Sequence, residues 1–542
     1  MFEIFKSEIV RNKSLVGKYV LIVLLLWTVN IITPYISGQY INFLVDTTDA
    51  GTTIILFVAV IACINLLQLI IKYIQSLVLT RLNYKISYQI SNDLFQKIFS
   101  SEYKYYSNVD TAYLIDQISK DSNAVVNFST SNVVNFFLQS ATLIASAIFV
   151  FRADKLLCAI ILSLIPFYVL TFFLNKSKIY ATKMEMKRSS NAYFSRYAEQ
   201  IQKIPYVKRN ELGHEMNHRL SESLNELVEA SLHSVRVEYL FTNLNQLIII
   251  FAYLCIIEIG GYKVCIGKLS IGYFATINTY FNMIISSVSY FVGLAGSYQD
   301  TKASFNRIND IMSKEDEKKG DILIDKLKLV EIVDLSIGYG SKKVLNRCSC
   351  QFERGTLYGL CGQNGKGKTT LLNAIVGLLA GDSSGDVCYN GVSISNLNMQ
   401  TMRRRNISYI EQDPVLMNMS VKEYLQLGLD MNHETQQRQE QLIKSWNLSY
   451  LMDKQMNENG SNFSGGEKQK LSLIRALSKD SSLILLDEPT AALDKESIAR
   501  LMNCLQERKN DSVIIMVSHD PDVLAQCDTV LDICSIQNSN PD

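Results

Sequence analysis

Apolar residues form long unbroken runs over roughly the first 300 positions and short runs of four or five thereafter. Six long windows stand out, at 19–37, 54–71, 133–151, 156–174, 247–261 and 271–293. The first four approach the ~20 residues that cross a bilayer as a helix. Glu258 interrupts the fifth, and Ser, Asn and Tyr enrich the sixth. Together they predict six transmembrane helices, because no soluble core needs so many such runs. Neither glycine nor proline occurs between 52 and 165, which predicts unusually long helices. The polar stretches 81–104 and 175–203 continue the second and fourth windows without a breaker. At ~1.5 Å per residue, the first would project about 35 Å beyond the membrane. Turn candidates follow at 105–110 and 205–213, so the pattern predicts two helical hairpins reaching towards a cytosolic domain. Beyond 330, short Val/Ile/Leu runs alternate with glycine turns, an α/β rhythm.

Basic residues orient the spans. The stretch 175–243 carries Lys176, Lys178, Lys183, Lys187, Arg188, Lys208 and Arg209, whereas the turn at 38–53 carries none. The positive-inside tendency places the two long polar stretches, both termini and the C-terminal domain in the cytosol. Residues 1–18 read as a short basic amphipathic helix that is retained, since no small-residue cleavage site follows the apolar run. The first span begins almost at once, so we expect no preceding peptidase domain.

Composition narrows the classes further. At 542 residues the chain exceeds one core, and 48% hydrophobic with 19% charged residues excludes intrinsic disorder. Lys and Arg number 53 against 52 Asp and Glu, a balance unlike that of a dedicated nucleic-acid binder. The eleven cysteines are scattered. Cys348 and Cys350 form a C-x-C with no second pair, so they are read as small buried hydrophobes in a reducing compartment.

The chemistry concentrates after 330. The apolar strand 357–361 leads into Gly362-Gln363-Asn364-Gly365-Lys366-Gly367-Lys368-Thr369-Thr370 and then a helical run. This is G-x-x-x-x-G-K-T between a strand and a helix. Its glycines let backbone N–H groups face phosphate oxygens, and the helix N-terminus adds partial positive charge. Lys368 is expected to reach the β- and γ-phosphates and Thr369 to ligate Mg²⁺. About 120 residues on, four apolar positions end in Asp487 and Glu488. Asp487 is placed to hold Mg²⁺ through water, and Glu488 is the candidate general base.

These motifs resemble an ATP-binding cassette (ABC) domain. Phe463-Ser464-Gly465-Gly466-Glu467 is similar to the ABC signature, Gln412 to the glutamine loop, His519 to the switch histidine and 492–494 to the D-loop. Tyr339 sits where the family stacks an aromatic ring on adenine. Six spans before the cassette resemble a type IV ABC exporter half-transporter. The segment from Asp110 to Asp121 is similar to its first coupling region, 266–272 to the turn before its sixth span, and Arg307-Ile308 to its exit into the linker. Glu458-Asn459-Gly460 matches an exporter-type E-x-G element. The departures are Lys366 for a small neutral residue, Glu467 for glutamine, Phe463 for leucine and Ala491 for serine.

The resemblance implies a membrane all-α domain at 1–310, a charged linker at 311–327 and a P-loop NTPase ABC domain at 328–542. It implies catalytic roles for Glu488, His519, Gln412 and Lys368, with Mg²⁺ at Thr369, Gln412 and Asp487. ATP would contact Tyr339, the phosphate loop 362–370, Gln412 and Asp487. Ser464, Gly465 and Gly466 would reach the nucleotide of a second subunit, in a homodimer or a heterodimer. The expected activity is ATP hydrolysis driving export of a peptide across a bacterial plasma membrane by alternating access. The alternatives are a lipid flippase, a multidrug exporter or a nucleotide-gated regulator. Tyr280, Phe281, Asn282, Tyr290 and Phe291 are candidate cavity residues, with Asn65, Gln68 and Glu258 as further intramembrane polar positions.

Overall fold

The computed structural model describes residues 11–46, 51–106, 111–339, 342–378 and 382–537. The amphipathic segment at 1–10, the turn at 107–110 and Asp110 lie outside them. The chain divides into two compact units, one of 1–95 with 115–311, the other of 96–114 with 312–542.

The first unit is built from α1 (Lys13–Asp46), α2 (Gly51–Ser100), α3 (Thr111–Asn127), α4 (Val133–Ala153), α5 (Lys155–Gln202), α6 (Ile204–Arg209), α7 (Gly213–Cys265) and α8 (Ile271–Met312). A π-helical turn, Phe128–Asn132, joins α3 to α4. The breaker-free stretch does hold nearly all of α2, a helix of 50 residues, while the 48 residues of α5 and the 53 of α7 run on through Pro166 and through Gly260 and Gly261. Among the described residues, five helical stretches are long and apolar enough to cross a membrane. The sixth window forms α8, which is too polar to count by composition. That polarity belongs to packing, because Thr276, Ser287 and the ring of Tyr280 are buried inside the bundle.

α1 and α8 cross at glycines. A Cβ on Gly272 would lie 2.0 Å from the Gly38 carbonyl oxygen, and one on Gly38 would lie 1.9 Å from Thr276 Oγ1. Only glycine permits that backbone approach. Around the crossing, Gly272 N–H donates to Asn42 Oδ1 at 2.7 Å and Tyr280 OH to the Ile31 carbonyl at 2.7 Å. The latter bond sits beside Pro34, where α1 lacks one amide donor. Arg307 grips Asp121 with two hydrogen bonds, 2.8 Å from Nε and 2.6 Å from Nη2, and Asp121 is almost fully buried.

The second unit holds two sheets. β1 (Leu329–Tyr339), β2 (Lys342–Glu353), β4 (Asp382–Tyr389) and β5 (Val392–Ser393) form an antiparallel sheet ordered β2-β1-β4-β5. β3 (Leu357–Cys361), β6 (Ile407–Ile410), β7 (Leu483–Asp487), β8 (Val513–Val517) and β9 (Thr529–Asp532) form a parallel sheet ordered β6-β7-β8-β3-β9. Its central strands are buried on both faces, which explains their uninterrupted Val/Ile/Leu runs. The helices are α9 (Lys368–Ile375), α10 (Met399–Arg405), α11 (Val421–Gln426), α12 (His433–Ser445), α13 (Gly465–Ser478), α14 (Lys495–Arg508) and α15 (Pro521–Leu524).

The charged segment after α8 is strapped down within this unit, which also takes in the last residues of α2 from Gln96 onward. Asp316 accepts from Lys97 Nζ at 2.8 Å and Ser100 Oγ at 2.6 Å. Glu317 pairs with Arg403 at 2.6 Å, and Ile322 N–H donates to the Asn396 carbonyl. All eleven cysteines are free, but only Cys158 and Cys348 are buried; Cys63, Cys265 and Cys534 are exposed.

Candidate nucleotide site

The phosphate loop leaves the carboxyl end of β3 and enters α9, the edge where open parallel sheets bind ligands. Gly362, Gly365 and Gly367 have φ of 141°, 78° and 94°, a region that L side chains rarely adopt. At Gly362 and Gly367 space also demands glycine: an added Cβ would meet Ile533 Cγ2 at 2.6 Å and Leu345 Cδ2 at 2.8 Å. Lys368 folds inward, its ammonium donating to the carbonyls of Gly362 at 2.8 Å and Gln363 at 3.2 Å. Those bonds hold a buried charge at the mouth of the loop. Gln363, Asn364 and Lys366 are exposed on the turn, and Thr370 lies on α9.

Thr369 Oγ1 donates to Asp487 Oδ2 at 2.7 Å, joining the loop to the end of β7. Burial pushes the Asp487 carboxyl up, the Thr369 hydrogen bond opposes that, and the neighbouring Glu488 charge adds to it. Tyr409 packs near; its phenol is pushed up by burial first and then by Asp487. Glu488 has φ 47°, a strained backbone for a residue with a side chain. Its N–H still donates to the Val517 carbonyl at 3.1 Å, extending the β7–β8 ladder by one residue. The turn carries the carboxylate between two partners. His519 Nε2 lies 3.1 Å from Glu488 Oε1, and Gln412 Nε2 donates to Glu488 Oε2 at 3.1 Å. Tyr339 closes β1, but its side chain is outside the described residues.

The signature forms a separate cluster. Ser464 caps α13: its hydroxyl accepts the Glu467 N–H at 3.3 Å, and Glu467 Oε2 accepts the Ser464 N–H at 2.8 Å. Glu467 therefore completes a capping box, and its charge suits the positive helix end. These Ser464 donors hold its carboxyl below the usual range, with Tyr450 OH adding a bond of 2.8 Å. Gly466 lies under the D-loop, where an added Cβ would stand 3.0 Å from the Ala492 carbonyl oxygen. Phe463 is buried in the cassette core, so its replacement of leucine is a packing choice. In the E-x-G element, Asn459 and Gly460 both adopt positive φ, and a Cβ on Gly460 would meet Leu416 Cδ1 at 2.6 Å. Among the described residues, no hydrogen bond or ion pair joins the signature residues 463–467 to the phosphate loop.

Two contacts escaped the reading of motifs. Lys470 on α13 reaches Asp494 Oδ2 at 3.1 Å, tying signature to D-loop. Asp494 also caps α14 by accepting the Ser497 N–H at 2.7 Å, and these donors hold its carboxyl at about 2. The D-x-x-S spacing carries a cap signal, but the lysine's reach needed the fold.

The family model described as the ABC transporter transmembrane region matches residues 16–288, and that described as ABC transporter matches 345–491. The chain belongs to the ABC transporter family. The transport/processing ATP-binding protein ComA of Streptococcus pneumoniae is 22% identical over 95% of this chain and 72% of its own length. The lactococcin-G-processing and transport ATP-binding protein LagD of Lactococcus lactis is 22% identical over 92% of this chain and 72% of its own. An ATP-dependent lipid A-core flippase of Syntrophus aciditrophicus is 23% identical over 85% and 78% respectively. The solved structure of a bacterial Atm1-family ABC exporter with ATP bound superposes with a TM-score of 0.83, at 17% identity, covering 96% of this chain and 93% of that one. That likeness defines an exporter fold. The chain is an ATP-driven ABC exporter, a multi-pass membrane protein that binds ATP and couples its hydrolysis to transport, and its half-transporter layout implies dimerisation.

Proposed function

We propose that this half-transporter exports a peptide from the cytosol of a bacterium across its plasma membrane, working as a homodimer. The carrying observation is the paired membrane and cassette match to relatives named for combined processing and transport, LagD for lactococcin G and ComA without a stated cargo. A match of similar identity, 23%, to a lipid A-core flippase supports amphipathic lipid as the second reading. Purified protein in proteoliposomes, with ATPase stimulation by capped peptides set against lipids and cationic dyes, tests the choice. Stimulation by lipid alone would replace the peptide.

At the nucleotide, Lys368 and the loop amides bind the phosphates, and Glu488 takes a proton from the attacking water. His519 and Gln412 hold the two oxygens of Glu488 in place. The donor set also fits Mg²⁺. Thr369 and Asp487 present hard oxygen ligands, and Asp487 is a buried carboxylate beside a second one. Among the described residues there is no cluster of three His, Cys, Asp or Glu that would form an all-protein cage. Mg²⁺ is usually held by one or two carboxylates together with substrate phosphate oxygens and water. When bound, the ion would neutralise charge on the phosphates, with Thr369 and Asp487 as its protein ligands and Gln412 at its edge. The separation of the signature from its own phosphate loop supports completion of each site by Ser464, Gly465 and Gly466 of a second copy. Both termini and the cassette would then face the cytosol.

A further inference from the structure

A cavity of about 450 Å³ opens inside the membrane unit among α1, α2, α4 and α8. That lies within the ~300–1,000 Å³ of ordinary ligand clefts. Five carboxamides line it: Asn30, Gln75, Asn135, Gln139 and Asn282. Trp27, Met283 and Leu138 supply apolar wall, and among the described residues no charged side chain lines it. Gln139 accepts from Ser287 Oγ at 2.7 Å, and Trp27 Nε1 donates to Thr142 Oγ1 at 2.9 Å. Asn30, Asn135 and Asn282 make no side-chain hydrogen bond among the described residues. The bulky candidates of the sixth window belong elsewhere: Tyr280 and Phe281 are buried in the helix core, and Tyr290 OH donates to the Asn132 carbonyl. Only Asn282 of that group faces the cavity.

Asn282 is exposed and Asn30 and Asn135 are half-buried, so their amides stay open to whatever enters the cavity. Each carboxamide offers two donors and an acceptor, the same groups a peptide bond presents in reverse. A cation would call for a carboxylate or an aromatic cage, and an anion for Arg or Lys. We propose that this cavity binds an uncharged stretch of extended peptide, hydrogen-bonding its backbone amides through Asn30, Asn135 and Asn282, and that it discriminates against ionised cargo at that position. The proposal rests on the peptide reading above and adds which part of a peptide is grasped.

The test uses the full chain in nanodiscs and proteoliposomes, with N-acetylated, C-amidated nonapeptides of Gly, Ser, Asn and Leu as probes. Parallel sets carry a central Lys or Glu, and tetraphenylphosphonium and phospholipid serve as other cargo classes. Trp27 reports occupancy directly, because the chain's other tryptophan, Trp446, is buried in the cassette core. Neutral peptides should shift Trp27 emission and stimulate ATP hydrolysis, with half-maximal concentrations at least about tenfold lower than for the charged sets. The Asn30→Leu/Asn135→Leu/Asn282→Leu variant should lose that response at least about tenfold while unstimulated ATPase stays within about twofold. Should the triple variant fail to fold, Asn135→Asp alone should shift preference towards central-Lys peptides and tetraphenylphosphonium. Unchanged peptide response in these variants would overturn the site while peptide export stands. Stimulation of the wild type by tetraphenylphosphonium or phospholipid, and by no peptide, would overturn both.

Discussion

Glu488 and His519 meet at 3.1 Å, Oε1 to Nε2, at the mouth of the parallel sheet, and Gln412 occupies the opposite oxygen of the same carboxylate. Thirty residues of chain, with α14 and β8 among them, separate this glutamate from that histidine, yet the β7–β8 pairing of Asp487 with Val517 fixes their approach. A base held from both sides loses little orientation when water arrives. Replacing Glu488 with Gln keeps the shape and removes the proton acceptor. Turnover should fall by about 10²–10⁴-fold while ATP still binds. Inorganic phosphate release and nucleotide binding on one preparation check both halves of the claim.

The Asp487 carboxyl is raised mainly by burial, so its ionised form costs the folded cassette stability. With a folded pKa above the ordinary 3.8, its favourable contribution is complete below 3.8 and disappears as pH rises through the folded value. Asp487→Asn keeps an acceptor for Thr369 without the charge. In the absence of nucleotide the variant should melt higher than wild type at pH 7.5, and the gap should shrink as pH is lowered towards the ordinary 3.8. A gap that widens on acidification would show that desolvation does not dominate at Asp487.

Gly272 admits no side chain. An added Cβ would stand 2.0 Å from the Gly38 carbonyl oxygen, and backbone cannot yield as a flexible side chain can. Gly272→Ala should cost about 3 kcal/mol or more by forcing α1 and α8 apart. A lower melting temperature in detergent, with Gly261→Ala as a control at an open position, measures it.

Asp121 is a buried carboxylate whose two oxygens both accept from Arg307. Arg307→Ala leaves that charge with less compensation. Because the arginine is itself nearly half exposed, the loss should be about 2 kcal/mol, below the figure for a fully buried pair. The double variant with Asp121→Ala should recover part of that loss in a thermal-melting cycle. Full additivity would show that the two do not interact.

The extent and type of the elements were legible in the chain itself. Missing breakers between 52 and 165 and apolar runs fixed the long helices, and the glycine spacing of the phosphate loop marked the nucleotide site, because helix continuity and turn geometry are local properties of backbone and sequence. Packing alone decided what lay far apart in sequence. It set Thr369 against Asp487 across 118 positions, let Gly38 meet Gly272, and strapped the charged segment after α8 beside Arg403. It also explained the polar sixth window: Asn282 faces a cavity shared with Asn30 and Asn135 on other helices, whereas its neighbours Tyr280 and Phe281 turn into the core. Hydrophobic periodicity registers that a face is polar, but only helix packing shows whether that face meets lipid, protein or a space a ligand could fill.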